Sequence, residues 1–287
     1  MAESPPPGGR RLSPRHGPHG RRTSQFRWSQ RRHLHRRPRR HRVDDQRAGT
    51  GLHPERNTMT PTGNRLWSHL VRWLIIFSVP IALLVFNVRV ATGHWFVRWE
   101  YNKADFPPDP YGLSTAERTR LANVCVDYLA TNAPLSLLAD LELPNGEFAF
   151  NARELRHMAD VQAVYNGLMV TGLIAALILI GGSALLRVTG HPSAEVAQAW
   201  MRGGLLTLTL LLLIGGVMAF NWGDFFEAFH RIFFEGNSWT FPYSDTLIRL
   251  FPMRFWMDVA LVIVAPMLIE ALMIAIIGRA WIAKRKI

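Results

Sequence analysis

Apolar positions along the chain gather into four windows of 16 residues or more: Trp73–Val88, Val161–Leu186, Gly203–Gly223 and about Val259–Ile277. Arg72 and Arg89 flank the first, and Trp281 and "KRK" follow the last. Each window can reach the length of about 20 residues that a bilayer core about 30 Å thick demands. The pattern predicts an all-α transmembrane protein, a four-helix membrane bundle. Pro80 and Pro266 fall inside spans, where lipid-embedded helices tolerate them. Gly167, Gly172, Gly181–Gly182 and Gly215–Gly216 are expected to mark close helix–helix contacts.

Between spans the pattern changes. "STAERTRLANVCVDYLAT" predicts a helix, with Ser114 as cap and Glu117 three residues on. Its apolar face is Leu121, Val124, Cys125, Tyr128 and Leu129. "LELPNGEFAF" alternates around Asn145–Gly146 and predicts a hairpin. Residues 91–160, too long for a plain loop, are expected to form a small mixed α/β extracytoplasmic domain between spans 1 and 2. Cys125 is the single cysteine, so no internal disulfide forms, and a buried structural thiol is the expected role.

Charge changes this picture at one end. The formal net charge is +12, yet residues 1–58 hold 15 Arg against 4 acids, leaving 18 basic and 17 acidic residues in the remainder. The basic character therefore belongs to "RRHLHRRPRRHR" and its surroundings, a segment too polar to offset its ordering entropy. It is read as a disordered Arg-rich extension. A nucleic-acid arm and a tether to anionic lipid are functional readings of it. The preferred reading is an over-extended start, with Met59 opening the protein, so no nucleic-acid partner is expected. Residues 64–287 are then a four-span membrane domain that includes residues 91–160.

Topology follows from the same charges. The tail after Ile277 and the connection Arg187–Arg202 carry an excess of Lys and Arg, whereas residues 91–160 and 224–258 carry an excess of acids. The positive-inside rule places both termini in the cytosol and those two acidic connections outside.

On that outer side the connection "EAFHRIFFEGNSWTF" holds five aromatic residues around His230. His157 lies about one turn before the second span and His230 about two turns after the third. Packing their helices antiparallel brings the two imidazoles near each other. Histidine is the side chain whose unperturbed pKa, about 6.5, suits proton transfer near neutral pH. Phe226, Phe229, Phe233, Phe234, Trp239 and Phe241 supply apolar bulk. Glu154, Asp160 and Glu227 lie three residues from a histidine, where a carboxylate can fix a tautomer or simply be solvated. Glu270, deep in the fourth span, is a functional candidate left outside this set.

"RELRHMADV" at 153–161, "FHRIFFEGNSWTF" at 229–241 and "SDTLIRLFPMRFW" at 244–256 resemble the bacterial lipoprotein intramolecular transacylases, four-span membrane proteins. The resemblance covers roughly residues 64–284. It implies a bacterial inner-membrane acyltransferase acting on a diacylated lipoprotein, in which the sn-2 acyl chain of the diacylglyceryl-cysteine moves to the free α-amine. It implies His157 and His230 as the catalytic pair, with His157 the expected base. Phe233, Asn237, Trp239, Asp245 and Arg249 are weaker candidates for pocket or oxyanion support. Such a transfer calls for no metal, cofactor or covalent enzyme intermediate. Two rival classes remain: a metal-binding or pH-sensing protein using His94, His157 and His230, and a non-enzymatic membrane assembly factor. Partners besides lipoprotein and lipid, and the oligomeric state, are not legible.

Overall fold

The computed structural model describes residues 61–284, so the reading of the first 58 residues lies outside it. In chain order the helices are α1 (Pro61–Ala91), α2 (His94–Tyr101), α3 (Thr115–Ala130), α4 (Ser136–Ala139), α5 (Ala152–Val188), α6 (Ser193–Phe220), α7 (Trp222–Phe233), α8 (Thr246–Leu250) and α9 (Met253–Ala283). Helices α1, α5, α6 and α9 are long and apolar enough to cross a membrane. The chain is a multi-pass membrane protein. Helix α1 packs along α5, α6 and α9, whereas α5 and α6 meet each other little.

Small residues decide how closely these helices approach, though not all the expected ones. A Cβ on Gly172 would overlap the Val85 side chain of α1, as expected. Gly167, Gly181, Gly215 and Gly216 instead face open space. The tight crossing of α6 and α9 is made by Gly204, where a Cβ would lie 2.8 Å from the Ala271 carbonyl oxygen, and by Gly278, where it would lie 2.8 Å from Met201 Cβ. Glycine runs show which helices can pack closely, while the tilt of the partner selects which glycine is used.

The shorter helices gather at the end of the bundle where α1 and α6 finish and α5 and α9 begin. Leu121, Cys125, Tyr128, Leu138, Phe150, Met158, Leu247 and Leu250 form one apolar core there, drawn from α3, α4, α5 and α8. Phe96, Val97, Tyr101, Ala122 and Phe255 form a second, from α2, α3 and α9. The Tyr101 hydroxyl donates to the Leu250 carbonyl at 2.6 Å and fastens α2 to α8. Ser114 caps α3 as expected, accepting from Glu117 N, but the Glu117 carboxylate turns to Arg120 instead of closing a capping box.

The expected mixed α/β character of residues 91–160 is not borne out. The chain does turn at Asn145–Gly146, with Gly146 at φ +84°, but the arms share a single bridge, Glu142 to Phe148. Among the described residues there is no strand. The ladder has no room to grow. Helix α4 ends just before Leu141 on one arm, while on the other Ala149 and Phe150 enter the core and Asn151 caps α5.

Candidate functional site

Helix α5 begins with a capping box. Asn151 Oδ1 accepts from the backbone N–H groups of Arg153 and Glu154, and the Glu154 carboxylate accepts from Asn151 N at 2.8 Å. This fixes the first turn, and His157 follows on the second. At the end of α6, Asn221 is extended (φ −151°, ψ 94°) and both stops that span and caps α7. Helix α7 is strongly amphipathic and none of its residues is fully buried. It carries His230 back toward α5.

The two imidazoles share one aromatic pocket. Their ring centroids lie 6.5 Å apart with planes 24° from parallel. Phe234 touches both rings, at 4.8 Å from His157 and 5.6 Å from His230. Phe241 lies 5.3 Å from His157, while Phe226 at 4.1 Å and Trp239 at 4.9 Å enclose His230.

The hydrogen bonds are uneven. His230 Nδ1 is 2.7 Å from the Phe226 carbonyl oxygen. A carbonyl only accepts, so Nδ1 carries the proton and neutral His230 keeps its Nε2 lone pair free. Burial draws the His230 pKa below its ordinary 6.5, outweighing the Nδ1 bond, which acts the other way. Among the described residues, His157 Nδ1 and Trp239 Nε1 are buried with no hydrogen-bond partner, as is Ser238 Oγ. Unpaired buried polar atoms are uncommon, and two ring nitrogens of one pocket share that condition.

The flanking carboxylates do not orient either ring. Glu154, 2% exposed, takes the Leu247 backbone N–H at 2.7 Å and joins α5 to the start of α8. Glu227 pairs with Arg231. A backbone carbonyl does the orienting that a side chain was expected to do. The structural role of Glu154 was missed in the sequence, although Asn151 with Glu154 three residues later is a readable signal.

The weaker candidates separate. Trp239 belongs to the pocket. Asp245 approaches it through Arg153, whose guanidinium lies 3.0 Å from Asp245 and 5.6 Å from the Phe241 ring. Asn237 offers its backbone carbonyl to Thr240, which shapes the turn that presents Trp239. Phe233 packs on Phe229 along α7, 46% exposed. Arg249 is engaged elsewhere, in a two-pronged pair with Asp109 at 3.1 and 3.0 Å. His94 does not join the pair, since its Nε2 lies 2.8 Å from Asp127. Burial pushes the Cys125 thiol well above its usual range, so the reactive thiolate is suppressed. Glu270 accepts from Asn87 Nδ2 at 2.7 Å, a polar clasp between α1 and α9.

Two groups able to exchange protons thus sit in a pocket walled by phenylalanine and indole, at the end of a membrane bundle. Such a site suits acid–base chemistry on an apolar, membrane-borne substrate.

Known proteins place the chain among relatives. The family described as lipoprotein intramolecular transacylase Lit matches residues 73–256, a stretch that holds both histidines. An uncharacterised protein of Aquifex aeolicus (strain VF5) is 33% identical over 189 residues, covering 66% of this chain and 84% of that one. The in meso structure of the membrane integral lipoprotein intramolecular transacylase Lit from Bacillus cereus superposes with a TM-score of 0.63 at 18% identity, covering 77% of this chain and 98% of that chain. A histidine-to-arginine variant of the same protein gives 0.60, covering 78% and 96%. At that identity the likeness is one of fold.

Proposed function

This chain belongs to the lipoprotein intramolecular transacylase family, and from that premise we propose the reaction performed at His157 and His230. The substrate is a lipoprotein whose N-terminal cysteine bears a diacylglyceryl thioether and a free α-amine. The amine nitrogen attacks the sn-2 ester carbonyl. A C–N bond forms, the bond from carbonyl carbon to glyceryl oxygen breaks, the nitrogen loses one proton and that oxygen gains one. The product is an N-acyl, lyso-form lipoprotein. An α-amine has a pKa of about 7.7–8.0, so a base that removes its proton aids attack.

We assign the base to His230 and the donor that protonates the departing glyceryl oxygen to His157; each turnover puts one proton on His230 and takes one from His157, and passage of that proton from His230 back to His157 restores the pair. This assignment reverses the order expected from the sequence. It is supported by the Nδ1 bond to Phe226, which leaves a free lone pair on His230 Nε2. Proton transfers of this kind contribute about 10²–10⁴ in rate. Amine and ester belong to one molecule, so positioning them adds more. Phe226, Phe234 and Phe241 exclude water that would otherwise hydrolyse the ester. The bundle lies in the bacterial inner membrane with its termini cytoplasmic and the pocket on the outer face, and residues 91–160 act there as a docking domain.

The pairing of the two imidazoles in one apolar pocket carries this reading. Expression of the full chain in a bacterium that makes diacylated lipoprotein, followed by mass analysis of the N-terminal lipopeptide, tests it. One acyl chain on nitrogen and one on glycerol is the expected product. An unchanged diacylglyceryl peptide with a free amine, from well-expressed protein, rules the reading out and favours the assembly-factor alternative.

A further inference from the structure

Attack of an amine on an ester leaves a negative charge on the carbonyl oxygen. Two histidines, one taking and one giving a proton, leave that oxyanion without a donor. An apolar pocket makes the deficit worse, because no water stands in. The two candidate cationic donors are committed to carboxylates, Arg153 to Asp245 and Arg249 to Asp109.

Trp239 is different. Its ring lies 4.9 Å from His230, tilted 33°, so the indole borders the imidazole that meets the amine. Its Nε1 is buried and has no acceptor among the described residues. An indole N–H can only donate. Burying that donor unpaired costs free energy in the resting protein, a cost recovered when an acceptor arrives. The turn around Trp239 is built to hold it. Gly236 takes φ +57°, and Thr240 bonds the Asn237 carbonyl through both its N–H and its hydroxyl. Ser238 Oγ is also unpaired, but a hydroxyl accepts as well as donates and is not committed to giving a proton.

We infer that Trp239 is a catalytic residue whose indole N–H donates to the carbonyl oxygen of the sn-2 ester and holds the tetrahedral oxyanion. The inference rests on the transacylase reading and names the group that reading lacks. The bond strengthens as charge develops, so it acts on the transition state more than on the bound ester.

The test uses the full chain in lipid–detergent micelles with a synthetic diacylglyceryl-cysteine lipopeptide. Trp239 is replaced by β-(3-benzothienyl)alanine, which puts sulfur where N–H stands and keeps the ring shape. The expected result is a fall in kcat on the order of 10² with KM unchanged. Trp239→Phe should show the same loss, while Ser238→Ala stays near the parent rate. A benzothienyl variant with parental kcat overturns the inference, as does a rise in KM alone, which would mark the ring as packing. A parent chain that forms no N-acyl product removes the transacylase reading as well, so the two failures are distinguishable.

Discussion

Two polar neighbourhoods sit at the same end of the bundle and obey opposite rules. Around Asp109 and Glu154 every carboxylate oxygen is engaged: Asp109 by Arg249 and the backbone of Leu113, Glu154 by the backbones of Asn151 and Leu247. Around His157 and His230 the walls are aromatic and ring nitrogens stand unpaired. The carboxylates of the first neighbourhood are spent on holding elements together. The second keeps donors and acceptors unpaired, the property that the proposed substrate would use. The difference teaches that in such a site, a polar atom is informative when it lacks a partner.

The contrast can be broken by exchange of effects. His157→Ala and His230→Ala should each lower the rate of N-acyl formation about 10²–10⁴-fold, measured on the lipopeptide by mass, with thermal unfolding little moved. A variant that unfolds instead would place the histidines with the structural group. Glu154→Ala should do the reverse. It leaves the Asn151 and Leu247 N–H groups unpaired and should remove about 1–3 kcal/mol of stability, read as a lower unfolding midpoint, while protein that remains folded keeps its turnover. The smallest effect sharpens the comparison through pH. Burial holds the His230 pKa below 6.5, so the ring stays neutral as pH falls through 6.5 and gains its proton only lower. Carbethoxylation of His230 by diethyl pyrocarbonate, which requires neutral imidazole, should therefore reach half its maximum below pH 6.5, read by peptide mass. A half-maximum above that value would contradict an apolar pocket.

The sequence carried the spans well, because apolar runs near 20 residues with at most one charge have few other uses. It also carried the neighbourhood of the histidines, because span ends and charge bias put "RELRHMADV" and "FHRIFFEGNSWTF" at one end of the bundle. Hydrogen-bond partners were harder. Glu154 and Glu227 have the right spacing to reach a histidine along a helix, but Glu154 found the Leu247 amide and Glu227 found Arg231. Spacing along one helix cannot reveal a competitor on another. The hairpin around Asn145 failed for a related reason: its turn is local, while the length of its ladder is limited by α4 and α5. Gly204 and Gly278 were overlooked because close approach depends on tilt, a property of two helices together.

Helix α1 supplies none of the rings around the two imidazoles, yet it lies between α5, which carries His157, and α6, which leads into the α7 that carries His230. Val85 fills the notch at Gly172 of α5, and Val79 fills the notch at Gly203 of α6. The α1 side chains are thus a feeler gauge inserted between two jaws. A methyl group added or removed at Val79 or Val85 is therefore expected to change the spacing of α5 and α6, and with it the footing of both histidines, without touching a residue of the site.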